Sequence, residues 1–103
     1  MKEKIQEIIL DSLKEFNEEK GKDKALEISN DTILLDKKGK LDSLDFITLI
    51  VIIESNIFNK LDKNITIVSE KAFSKKYSPF KDVKSLTEFI VELLESEDNW
   101  LFL

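Results

Sequence analysis

The chain has no cysteine, no histidine and no arginine, and it contains only two glycines and one proline. Without cysteine there is no disulfide framework, no thiolate nucleophile and no sulfur-ligated metal, so a thiol redox role is excluded. Without histidine the commonest general base and the commonest metal ligand are both missing, and neither a Ser/His/Asp nor a Cys/His arrangement can be built. All sixteen positive charges are lysines and the net charge is −5. An acidic chain is repelled by a phosphate backbone, and no arginine is present to fork onto base edges, so nucleic acid is set aside. Nor does any stretch approach the ~20 uncharged apolar residues of a membrane span. Charges alternate with apolar residues from Met1 to Leu13, unlike a signal peptide, and the expected location is cytoplasmic.

What is present suits a soluble helical chain. Hydrophobic residues make up 42% of the sequence and charged residues 36%, too apolar a balance for a disordered chain. At 103 residues, a single domain spanning 1–103 is expected, with one modest core.

Ile5, Ile8, Ile9, Leu13 and Phe16 fall at helical spacing with Lys and Glu between them, which predicts a first helix over 3–16. Periodicity is lost from Asn17 to Asp42, where both glycines, Gly21 and Gly39, collect with Asn30 and Asp31. This reads as a long loop, and a loop of that length needs apolar anchors, here Ile28, Ile33, Leu34 and Leu35. A second helix is predicted over 43–57, with Phe46, Ile50, Ile53 and Ile57 facing the core beside Leu49. The β-branched run Ile50 to Ile53 alone would suit a buried strand, but length and capping favour helix. A short element is placed around Ser69 to Lys76, and Pro79 lies in the connection that follows. Ser85, Leu86, Thr87 and Glu88 form a capping-box pattern that opens a last helix, with Leu86, Phe89, Ile90, Leu93 and Leu94 as its buried stripe. An apolar tail, 99–103, either packs back on the bundle or meets a partner. The expected architecture is all-α: three long helices, one short helix, and a long loop between the first two long ones.

Asp42 stands between the lysine-rich loop and the apolar run, where it suits the N-cap of the second helix, with acidic Asp45 three residues on. Ser43 is then the first helical residue. Its hydroxyl is not needed as a cap and can project from the helix end, where unpaired N–H groups favour an attached anion.

The run Gly39, Lys40, Leu41, Asp42, Ser43, Leu44, followed by an apolar helix, resembles the Asp-Ser-Leu prosthetic-group site of the acyl carrier protein family. The likeness extends over most of the chain: a helix before the site, a long loop with Leu34 and Leu35, and a closing pattern from Val83 and Ser85-Leu86 to Phe89 and Ile90. It implies an acyl-carrier-like four-helix bundle with 4'-phosphopantetheine joined to Ser43 through a phosphodiester, Asp42 and Leu44 flanking the attachment. The cargo is then a thioester on the cofactor's thiol, so the chain needs no cysteine. A separate phosphopantetheinyl transferase would activate Ser43, because the chain has no usual base for it.

The resemblance also places partner-enzyme contacts on the second helix. If Phe46, Ile50, Ile53 and Ile57 face inward, then Leu44, Ile47 and Val51 form a second apolar line beside Ser43, either a partner-reading edge or ordinary core. Asp42, Asp45 and Glu54 match the family's acidic part. Thr48, Ser55 and Asn56 stand where family members often carry further carboxylates, which points to a dedicated set of partners. Those partners are enzymes that activate, condense or transfer acyl or aminoacyl groups, and a swinging tethered group implies a monomer with free access to Ser43.

Two other classes stay open. One is an aminoacyl or peptidyl carrier of the nonribosomal or D-alanyl-transfer type, since cargo is chosen by the loading enzyme. The other is an unmodified helical interaction module. A calcium loop centred on Gly39 fails, because it would put Leu34 and Lys38 at positions that require oxygen ligands. An independent enzyme is not expected: the sequence has no base, no phosphate-cradling glycine loop and no metal-ligand cluster.

Overall fold

The computed structural model describes residues 1–37 and 39–100, the side chains of 24 and 97–100 excepted. The chain is all-α among these residues. Its helices are α1 (Lys2–Lys20), α2 (Ser43–Leu61), the short α3 (Glu70–Phe73) and α4 (Val83–Trp100), with a 3-10 turn at Lys22–Lys24 after α1. None of them is long and apolar enough to cross a membrane.

The predicted stripe of α1, from Ile5 to Phe16, is fully buried. Ser12 joins it by donating its hydroxyl to the Ile8 carbonyl at 2.7 Å, so its polar group enters the core with a partner. The helix nevertheless runs one turn past the predicted end. Residues 18–20 are Glu, Glu and Lys, good helix formers that add no apolar signal, and the helix stops only at Gly21. There φ is +84°, a region that glycine enters without steric cost, and the Gly21 N–H donates to the Asn17 carbonyl.

α2 also outruns its predicted end, continuing past Ile57 to Leu61, and is closed by Asp62 in the left-handed conformation. Phe46, Leu49, Ile50, Ile53 and Ile57 are buried as the spacing predicts. Tertiary packing therefore outweighs the β preference of the Ile50 to Ile53 run.

In the segment between α1 and α2, the anchors differ from those predicted. Leu34 is buried and Ile33 partly so, but Ile28 and Leu35 are exposed, and the other plugs are Leu26 and Leu41. The reason is a pair of polar attachments that hydrophobic spacing does not register. The Asn17 side chain clamps the Leu26 backbone, accepting its N–H at 2.7 Å and donating to its carbonyl at 2.8 Å. Further along, residues 30–35 run antiparallel to 80–84. Leu34 and Leu35 donate to the carbonyls of Lys81 and Phe80, while Val83 and Lys84 donate to those of Thr32 and Asn30. An isolated bridge pairs Ile33 with Asp82. Four of the loop's backbone groups are thus paired with the segment that leads into α4.

That connection also corrects the start of the last helix. α4 begins at Val83, and its first turn is capped by Asp82, which accepts the Ser85 N–H at 2.8 Å; Ser85 is an interior residue of the first turn. Val83 is fully buried, which draws the helix start two residues forward. Leu86, Phe89, Ile90 and Leu94 form the buried stripe, and Leu93 is only partly covered. The short element is narrower than expected, Glu70–Phe73. The apolar tail expected at 99–103 lies outside the residues whose side chains are described.

α1 packs against both α2 and α4. At one end the core is aromatic: Phe80 contacts Phe46 of α2 at 5.1 Å between ring centroids and Phe89 of α4 at 6.4 Å, nearly edge-on.

Candidate functional site

Ser43 is delivered to the surface by three residues before it. Gly39 lies so close to the Leu34 backbone that a Cβ there would stand 2.5 Å from the Leu34 oxygen, so only glycine fits without displacing main chain. Leu41 then enters the core and fixes the approach of the chain. Asp42 is extended, with φ −87° and ψ 179°, and its carboxylate accepts the Asp45 N–H at 2.8 Å. Asp42 is therefore the N-cap that the sequence predicts.

Because Asp42 takes the capping role, Ser43 begins the helix with its side chain exposed and its hydroxyl without a hydrogen-bond partner among the described residues. The first-turn N–H groups that α2 cannot pair internally, and the positive end of its dipole, lie beside that hydroxyl. Asp45 partly offsets this field from within the same turn. One turn on, Phe46 is buried against Phe80, which holds the helix start to the rest of the molecule.

The two readings of the outer line of α2 separate here. Leu44 is 73% exposed, Ile47 46% and Val51 55%, so these side chains are surface and not core. Phe58, 51% exposed, continues the line two turns beyond Val51. It was legible in principle, since 44, 51 and 58 are spaced by seven, but its place beyond the predicted helix end hid it. Val51, Glu54, Ser55, Phe58, Asn59 and Asn64 line an open groove of about 480 Å³ at this end.

The acidic part of the expected partner surface is rearranged. Asp45 is 5% exposed and turned inward, 3.7 Å from Lys20 Nζ at the end of α1. It joins two helices instead of facing a partner. Glu54 is partly buried and accepts the Ile67 N–H at 2.9 Å, which fastens the segment after α2. Thr48 returns its hydroxyl to the Leu44 carbonyl at 3.1 Å. Asn56 donates to Ser12 and to Glu15 of α1, which is a reason for an amide at a position where a carboxylate would repel Glu15. Of the residues matched to the family's acidic part, Asp42 alone has its side chain in an exposed residue.

Chemically the site offers an accessible primary hydroxyl at a helix start with no histidine in the chain to deprotonate it. Among the described residues no group of acidic side chains is arranged to hold a metal ion. Without a neighbouring base such a hydroxyl is a weak nucleophile by itself. Comparison of the chain with family models, with curated proteins and with solved structures finds no match in any of the three.

Proposed function

We propose that this chain is a carrier protein of the acyl carrier type, with 4'-phosphopantetheine joined to Ser43. The observation that carries the reading is the division of roles at the start of α2: Asp42 caps the helix, and the Ser43 hydroxyl next to it is exposed and has no hydrogen-bond partner among the described residues. A phosphodiester there would meet unpaired N–H groups and the positive end of the helix dipole, so the residues present fit the group. When attached, the group supplies a thiol on a flexible arm, and the cargo is held on it as a thioester.

The chain's own residues would do the rest. Ser43 is the point of attachment. Asp42 and Leu44 flank it, one fixing the helix start and the other offering an apolar contact to an incoming enzyme. Leu44, Ile47 and Val51 continue that contact along α2, with Thr48 beside them. In this reading the chain catalyses nothing itself and works in the cytoplasm as a monomer. Its partners are a phosphopantetheinyl transferase and the enzymes that load, condense or transfer acyl groups in fatty-acid, polyketide or a specialised acyl pathway. An aminoacyl or peptidyl cargo fits the same scaffold, because the loading enzyme selects it. The resemblance of three long helices, one short helix and a long loop to an acyl-carrier-like bundle supports the reading.

The exposed line from Leu44 to Phe58 favours a second reading, an unmodified module that docks a partner helix. Intact mass separates the two. The protein and Ser43→Ala are incubated with a broad-specificity phosphopantetheinyl transferase, coenzyme A and magnesium. The carrier reading expects one phosphopantetheinyl addition on the wild type and none on the variant. No addition on a well-folded wild type overturns it and leaves the interaction module.

A further inference from the structure

Charge is unevenly spread along this acidic chain. From Lys71 to Lys84, five of the sixteen lysines fall within fourteen residues whose only acid is Asp82, with Glu70 just before them. The stretch runs from α3 through the connection into the first turn of α4, and it carries the most exposed aromatic side chains of the described residues: Phe73, 73% exposed, and Tyr77, 78% exposed.

Phe73 stands edge-on to the buried Phe80 at 6.3 Å, and so has a fixed base in the aromatic end of the core. Tyr77 follows four residues later, in the wall of a groove shared with Pro79 and Phe89, and Lys76 Nζ lies 5.6 Å from its ring centroid. Two of the lysines are occupied: Lys75 pairs with Glu92, and Lys71 donates to Ser96 at 2.8 Å. Lys76, Lys81 and Lys84 are exposed and make no ion pair among the described residues.

We infer that this stretch, which carries the exposed rings of Phe73 and Tyr77 and the exposed lysines Lys76, Lys81 and Lys84, is a docking surface for an anionic lipid membrane. Two observations select a lipid surface over an acidic polypeptide or a nucleic acid. The groove behind Tyr77 is lined by Glu88 and Glu92 as well as by Lys75 and Lys76, with Lys75 paired to Glu92, so it offers a polyanion no net positive seat, whereas a surface touching only the exposed rings and lysines does not enter it. Both rings are exposed, Phe73 on the buried Phe80, and such side chains suit a membrane surface, where a phenyl group reaches the acyl boundary and a tyrosine hydroxyl stays among head groups. Lysine side chains suit the same level, their stems beside apolar chains and their ammonium groups at the phosphates. The chain's net charge of −5 does not forbid this, because charges beyond about 10 Å are largely screened at moderate salt. The contact is independent of any group on Ser43.

The test is co-sedimentation of the full chain with vesicles of phosphatidylcholine alone and of phosphatidylcholine mixed with phosphatidylglycerol, at low and physiological salt. The wild type and Ser43→Ala should pellet with the mixed vesicles, and added salt should release them. Lys76→Gln and Lys81→Gln should each weaken the affinity about fivefold. Phe73→Ser with Tyr77→Ser should weaken it further, with unchanged far-UV circular dichroism. Equal affinity for both vesicle types, or none for either, overturns the inference. So does a loss confined to the lysine variants, or retention on heparin without binding to vesicles.

Discussion

At the scale of single residues, the start of α2 is decided by two neighbours with different tasks. Asp42 spends its carboxylate on the Asp45 N–H, which frees the Ser43 hydroxyl. Asp42→Ala leaves that N–H without its cap and should cost about 1 kcal/mol of stability, whereas Asp42→Ser keeps an acceptor and should cost only a small part of it. Urea unfolding at a fixed pH reads the difference. Capping is local, within three residues along the chain, and so this part of the site was legible in the sequence. Asp45 and Glu54 were not. Their partners, Lys20 and the Ile67 N–H, lie 25 and 13 residues away, and nothing in the spacing of α2 distinguishes a carboxylate facing a partner protein from one that ties down a neighbouring segment.

At the scale of elements, hydrophobic periodicity locates the faces of the helices well and their ends poorly. The buried stripes of α1 and α2 agree with the spacing because burial imposes it. The last turn of α1 carries no apolar signal and that of α2 has Phe58 exposed and Leu61 only partly covered, and the two helices end where Gly21 and Asp62 adopt positive φ. The long loop was visible as a loss of periodicity, yet what orders it was not. The Asn17 clamp on Leu26 and the antiparallel run between 30–35 and 80–84 are hydrogen-bonded pairings between segments far apart in sequence. Asn17→Ala removes both side-chain bonds and leaves the Leu26 backbone groups to find water. The expected loss is about 2 kcal/mol. Faster amide exchange at Leu26, with little change in the middle of α2, would locate the effect in the loop; uniform acceleration across the chain would mean that the clamp supports the whole fold instead.

At the scale of the whole molecule, α1 holds the structure together, because it packs on both α2 and α4 while the aromatic contacts through Phe80 join those two at one end. The order of the helices could be read along the chain, but which of them is central could not, since α1 and α4 show similar amphipathic patterns and only packing ranks them. The ranking has a measurable consequence. Leu13 is fully buried on α1, and Leu13→Ala should cost about 2–5 kcal/mol, the range for a leucine whose cavity does not fully collapse. That is a large share of the roughly 5–15 kcal/mol that holds a domain of this size together. If α1 is the shared support, amides in α2 and in α4 should lose protection together and by the same free energy, and unfolding should remain one transition. Were α2 to keep its protection while α4 lost it, the helices would be stabilised in separate pairs, and the site at Ser43 would stand independently of the far side of the molecule.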